Sequence, residues 1–132
     1  MAKKKILIVE DNEQNMELFR DLLESHGYVV IEATEGETAI NKISQEMPDL
    51  ILMDIQLPKI DGVEITRRVR ENPSLNNIKI IAITAHAMKG DRETFLESGF
   101  NDYVSKPIDI NSLLQTIAQH LKETESRDCG SC

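Results

Sequence analysis

Apolar residues fall along the chain in two alternating textures. Unbroken runs occur at Ile6-Leu7-Ile8-Val9, at Leu50-Ile51-Leu52-Met53 and, within residues 78–84, at Ile80-Ile81-Ala82-Ile83. Residues 28–31 and 102–105 are shorter β-prone stretches. Runs of this length suit strands buried on both faces, as in a parallel sheet. Between them the apolar residues recur at helical spacing. Met16, Phe19, Leu22 and Leu23 share one face, as do Ala39, Ile40, Ile43 and Met47, and then Val63, Ile65 and Val69. Arg67, Arg68 and Arg70 are expected to point outward from the third of these helices as a solvated face. Residues 88–98 carry a weaker helical pattern around Phe95 and Leu96. Ile110, Leu113, Leu114, Ile117 and Leu121 form the cleanest stripe, with Asp109 or Asn111 near its N-cap.

The punctuation agrees with these periods. Gly27 and Gly99 suit helix ends, while Pro48 and Asn72-Pro73-Ser74 bar continuation. Glu35-Gly36 and Asp61-Gly62 read as turns. The resulting order is a strand followed by a helix, five times over, with short connections. That predicts an α/β fold: a doubly wound five-stranded parallel sheet with five helices, closed by right-handed crossovers. Residues 1–122 are expected to form one domain. Residues 123–132 are polar and aperiodic, and are expected to be a disordered tail.

Polar groups stand where the strands stop. Glu10 and Asp11 follow the first run, Asp54 closes the third, Thr84 closes the fourth, and Lys106 follows the fifth. Taken alone, Asp54 has two readings: a reactive carboxylate emerging into a crevice, or a strand-terminal Asp capping the next turn. In a parallel sheet all strand C-termini lie along one edge, where open α/β sheets bind their ligands. Three carboxylates gathered there repel one another unless a cation is present, and oxygen donors of this kind suit Mg²⁺. A carboxylate can also attack phosphorus and form an aspartyl-phosphate. A hydroxyl, an ammonium and a divalent cation would then neutralise the arriving charge.

Composition narrows the partners. The 132 residues include 15 basic and 23 acidic ones, a formal charge of −8. Nonspecific binding to nucleic acid or to anionic membranes is disfavoured at that charge. No stretch approaches the ~18 apolar residues of a membrane span, and the run behind the basic residues 1–5 is too short for a signal peptide. A cytoplasmic location is expected. The only cysteines, Cys129 and Cys132, sit in the expected tail, so no disulfide framework holds the fold. Their C-x-x-C spacing is read as incidental, because a redox or zinc role needs a structured setting.

Residues 6–11 (ILIVED), residues 52–58 (LMDIQLP), Asp61-Gly62, Thr84-Ala85 and Lys106-Pro107 together resemble the receiver domain of two-component response regulators. The likeness is collinear over residues 4–122. Asp11-Asn12-Glu13-Gln14-Asn15-Met16 and Ala87-Met88-Lys89-Gly90-Asp91 are similar to stand-alone receivers of the DivK type. Receivers joined to hybrid histidine kinases share much of this pattern. The resemblance implies a flavodoxin-like receiver fold and a phosphorelay role. Asp54 would accept a phosphoryl group from the phosphohistidine of a histidine kinase or histidine phosphotransferase. Asp11, Asp54 and the backbone carbonyl of Gln56 would ligate Mg²⁺, with Glu10 acting through water. Thr84 and Lys106 would bind phosphate oxygens, and Lys106-Pro107 would be a cis peptide. Tyr103 would turn inward with Thr84 on activation, while Gln56 and His86 would tune dephosphorylation. Output would pass to a downstream protein effector through residues 88–98, the fifth strand and the last helix, with the chain a monomer or weak dimer.

Other readings fit less well. An Asp-nucleophile phosphohydrolase of the haloacid dehalogenase type needs a second Asp two residues past the nucleophile, where this chain has Gln56. A flavodoxin-like flavin carrier needs a Ser/Thr/Gly phosphate loop after the first strand, and the chain has few aromatic residues. His86 as a metal ligand competes with His86 as a loop residue shaping water access, the reading preferred here. Tyr103 without the resemblance is a half-buried strand aromatic.

Overall fold

The computed structural model describes residues 4–54, 62–75, 77–84, 96–97, 99–105 and 109–128, by backbone only beyond Leu121. The strands are β1 (Lys5–Val9), β2 (Val29–Ala33), β3 (Leu50–Asp54), β4 (Lys79–Thr84) and β5 (Asp102–Ser105). The helices described are α1 (Glu13–Ser25), α2 (Gly36–Glu46), α3 (Gly62–Glu71) and α4 (Ile110–Asp128). Of the weaker helix expected over 88–98, only Leu96 and Glu97 are described, and both are helical.

The strands pair in parallel in the order β2-β1-β3-β4-β5. The order reverses between β1 and β3, which is the topological switch point of this fold. Strand alternation divides the core in two. Leu7, Val9, Ile51, Met53, Ile80 and Ala82 face α2 and α3, packing against Ala39, Ile43, Ile65 and Val69. Ile6, Ile8, Leu50, Leu52, Ile81 and Ile83 face α1 and α4, packing against Met16, Phe19, Leu23, Leu113 and Ile117. Burial of both faces is what the unbroken apolar runs require.

Local chemistry sets the helix ends. The Asn12 side chain caps α1 by accepting the Asn15 N–H at 3.0 Å. At the other end Gly27 takes φ 89°, and the Tyr28 N–H reaches back to the Leu23 carbonyl at 3.1 Å. Met47 takes the same role after α2 with φ 50°, before Pro48. Asp109, and not Asn111, precedes α4 and accepts both the Asn111 N–H and the Ser112 hydroxyl.

Four expectations change. Glu35 is the N-cap of α2 and Gly36 its first residue, so this pair opens a helix directly. Gly62 likewise opens α3. α4 runs to Asp128, past the boundary expected at residue 122. Lys122, Glu123, Glu125 and Arg127 are good helix formers that extend a helix already nucleated by packing, although the apolar period has stopped. Arg70 does not join Arg67 and Arg68 on the solvated face. It is half-buried beside Gly99, where burial lowers its pKa from the usual arginine value.

Candidate functional site

The polar residues that end the inner strands are drawn to one edge of the sheet. Glu10 continues the side-chain alternation of Ile8, and Asp54 that of Leu52, so both carboxylates rise on the α1 side of the switch point. Carboxylate oxygens of Glu10, Asp11 and Asp54 all lie within 4.8 Å of one another. Glu10 is 1% exposed and Asp54 4%, whereas Asp11 is open to solvent. The cluster is therefore walled below by the core and reachable from above. The Glu10 backbone N–H is fixed on the Ala33 carbonyl at 3.0 Å, and its carboxylate accepts the Asn12 N–H at 3.2 Å. The loop from β1 into α1 thus holds the acidic pair while Asn12 caps the helix.

Two buried acids beside a third would be strongly disfavoured without compensating positive charge. The donor set is all oxygen, with part of the shell left to solvent, which matches what Mg²⁺ takes. Among the described residues no His or Cys joins the group.

Thr84 closes β4 and is 2% exposed. Register places Asp54 beside Ile83, and Thr84 beside Ser105. Tyr103 lies beside Ala82 and packs on the α2–α3 side of the core, the face that Thr84 shares by alternation. Tyr103 and Thr84 are thus one alternation apart on neighbouring strands. The structure brings together Glu10, Asp11 and Asp54, and sets Thr84 and Tyr103 on the adjoining strands. Gln56, His86, Lys106, Pro107, Cys129 and Cys132 lie outside the described residues.

A parallel sheet of this order, with an oxygen-donor acidic cluster at its switch point, defines an α/β protein of the flavodoxin-like class with an acidic crevice at the sheet edge. The sequence matches the response regulator receiver domain over residues 6–118, and the chain belongs to that family. It is 47% identical over 118 residues to the polar-differentiation response regulator DivK of Brucella anthropi, covering 89% of this chain and 96% of the relative. Solved structures agree. The receiver domain of a sensor histidine kinase from Pseudomonas aeruginosa PAO1, with a magnesium ion coordinated in its active-site cleft, is 37% identical with TM-score 0.83, covering 92% of this chain and 99% of that one. A CheY-like receiver domain protein from Methanospirillum hungatei JF-1 is 30% identical with TM-score 0.87, covering 96% and 99%. The chain is accordingly a two-component signalling domain. Among the described residues no helix is long and apolar enough to cross a membrane.

Proposed function

We propose that Asp54 is the phosphoacceptor of this receiver. The observation that carries the reading is its place: a buried carboxylate closing an inner strand, within 4.8 Å of Glu10 and Asp11. In the transfer, an Asp54 carboxylate oxygen forms a bond to phosphorus as the phosphorus–nitrogen bond of a phosphohistidine breaks. The imidazole of the donor kinase or phosphotransferase leaves and takes up a proton. Asp11, Asp54 and the Gln56 carbonyl would hold Mg²⁺, with Glu10 acting through water. The cation supplies neutralising charge for the phosphoryl oxygens. The Thr84 hydroxyl and the Lys106 ammonium donate to the same oxygens. Gln56 and His86 govern access of the water that ends the signal. The domain promotes its own phosphorylation and dephosphorylation and turns over no separate substrate.

Output rests on Thr84 and Tyr103. When the hydroxyl moves toward the phosphoryl group, the space it leaves on the α2–α3 face accepts the tyrosine ring, and the surface around β5 and α4 changes for a protein effector. The 47% identity to DivK supports a single-domain regulator, and a second reading, a receiver working as part of a hybrid histidine kinase, draws on the 37% identity to a kinase receiver. Phosphotransfer profiling against the kinases of the source genome separates the two. The direct test is intact-mass spectrometry after incubation with acetyl phosphate and Mg²⁺. One added phosphate is expected, absent in Asp54→Asn. Phosphate uptake by that variant would place the acceptor elsewhere.

A further inference from the structure

Outside the acidic crevice, the half-buried Arg70, on the last turn of α3, bonds across three segments of the chain. Its Nε donates to the Gly99 carbonyl at 2.8 Å, its Nη1 to the Ile78 carbonyl at 2.7 Å, and its Nη2 to Asn101 Oδ1 at 2.7 Å. One planar guanidinium thus joins three chain segments: the end of α3, the lead into β4 and the turn before β5. Asn101 completes the joint. Its Oδ1 also accepts the Ile80 N–H at 2.8 Å, and its own N–H donates to the Ile80 carbonyl at 2.7 Å. The side chain therefore stands in for a backbone partner and fixes where β5 begins against β4. The register that follows, with Tyr103 beside Ala82 and Ser105 beside Thr84, depends on that start.

Gly99 shows how closely this joint is fitted. It sits at φ 107°, and a Cβ there would stand 2.9 Å from Arg70 Cγ and 3.2 Å from Thr66 Cγ2. Any larger residue would drive the turn away from α3. Thr66 is fully buried, and its hydroxyl has no hydrogen-bond partner among the described residues. Burying that hydroxyl unpaired is costly, so this interface is held by packing and by the Arg70 bonds. α3 is also the first element described after Asp54, its first residue Gly62 lying eight positions further along the chain.

We propose that Arg70 and Asn101 form a register peg through which α3 positions the edge strand β5, so that a phosphoryl group at Asp54 is transmitted to Tyr103 along α3 as well as through Thr84. The inference rests on Asp54 being the acceptor. A movement of α3 draws Arg70 with it. Because the guanidinium holds Gly99 and Asn101 together, the turn and the start of β5 move as one body. Arg70 and Asn101 are positioning residues that touch no reacting atom.

Arg70→Lys is the discriminating variant. Lysine keeps the charge but is a point donor that cannot reproduce the planar fork to three acceptors. Amide shifts of the parent and variant are recorded with and without beryllofluoride and Mg²⁺, an acyl-phosphate mimic. The parent is expected to respond at Met53 and Asp54 and at Tyr103 and Ser105. The variant is expected to keep the first response and lose at least half of the second. An undiminished Tyr103 response in Arg70→Lys overturns the peg and leaves the acceptor assignment standing, and equal losses at both places mark Arg70 as merely structural. A parent that gives no Mg²⁺-dependent response at Asp54 overturns both readings. The unmodified chain provides a check independent of the variant's folding. Hydrogen exchange of the Ile80 amide is expected to change at least threefold on beryllofluoride binding, and an unchanged rate overturns the peg.

Discussion

β1, β3 and β4 are buried from end to end apart from the leading lysines Lys5 and Lys79, whereas β2 and β5 each expose part of their length. The inner strands are held by apolar contact on both faces and need no polar help to keep their register. A one-residue slip would leave their length apolar but would move Glu10, Asp54 and Thr84 out of alignment at the sheet edge. The edge strands lack that support and are tied by side chains. On β5 the tie is the half-buried Arg70–Asn101 joint. On β2 it is more exposed: Lys42 reaches the Glu32 carbonyl, and Arg20 Nη1 stands 3.4 Å from Glu32 Oε2. The fold thus separates a buried inner frame that ends in the acidic cluster and Thr84 from a rim whose position is set by side-chain hydrogen bonds.

The largest effect expected on stability is therefore an inner-strand truncation set against a rim truncation. Leu52→Ala removes a fully buried side chain from β3 and is expected to cost about 2–5 kcal/mol. Val29→Ala removes one that is 40% exposed on β2 and is expected to cost under about 1 kcal/mol. Urea unfolding of both variants with a common slope measures the difference. Equal costs would remove the distinction between frame and rim.

That distinction also decides what could be read from the sequence. Apolar runs predicted β1, β3 and β4 to within a residue or two, because burial on both faces leaves no polar interruption. The same runs pointed to Glu10, Asp11, Asp54 and Thr84, since a polar group is affordable only where such a strand stops. Arg70 was misplaced for a related reason. On a helix next to Arg67 and Arg68 it looks like another solvated charge. Its acceptors are two carbonyls and an asparagine oxygen, the furthest of them on Asn101, and backbone acceptors leave no mark in composition. The positive φ of Gly99 was foreshadowed by a helix-ending glycine, but its crowding against Arg70 and Thr66 depends on tertiary approach. The end of α4 was missed because periodicity tracks burial, and a helix can outrun the core it packs on.

Next in size is the cation. If the acidic cluster is the Mg²⁺ site, metal at a hundred times its dissociation constant adds about 2.7 kcal/mol to stability. Asp11→Asn sharpens the test because its two consequences have opposite signs. Removing one of three neighbouring carboxylates relieves repulsion, so the chelated variant is expected to unfold no earlier than the chelated parent. Removing a ligand weakens the metal, so at saturating Mg²⁺ for the parent the variant is expected to unfold earlier. Thermal unfolding in chelator and across a Mg²⁺ titration reads both. Parallel curves would mean that Asp11 is no ligand, and that the polar ends of the inner strands do not act as one site.

The smallest effect is expected at the opposite rim. Arg20 and Glu32 approach to 3.4 Å, but their side chains are 34% and 41% exposed, so water and salt compete for both. The Glu32 carboxylate raises the Arg20 pKa above the ordinary arginine value, first through the hydrogen bond and then through its charge. A base whose pKa is raised in the folded chain contributes stability that is present below its unfolded value and fades only as pH rises through the folded one. That window lies far into alkali, so the pair's contribution is constant across neutral pH. Glu32→Gln keeps the size of the side chain and the Lys42 contact to the backbone while removing the charge. Its unfolding midpoint is expected to fall slightly at low ionic strength and to match the parent in 1 M salt, where the screening length is about 3 Å. A loss that persists in 1 M salt would show that β2 is tied as firmly as β5. The two rims would then be equivalent, and the Arg70–Asn101 joint would lose its claim to a special part in carrying the signal.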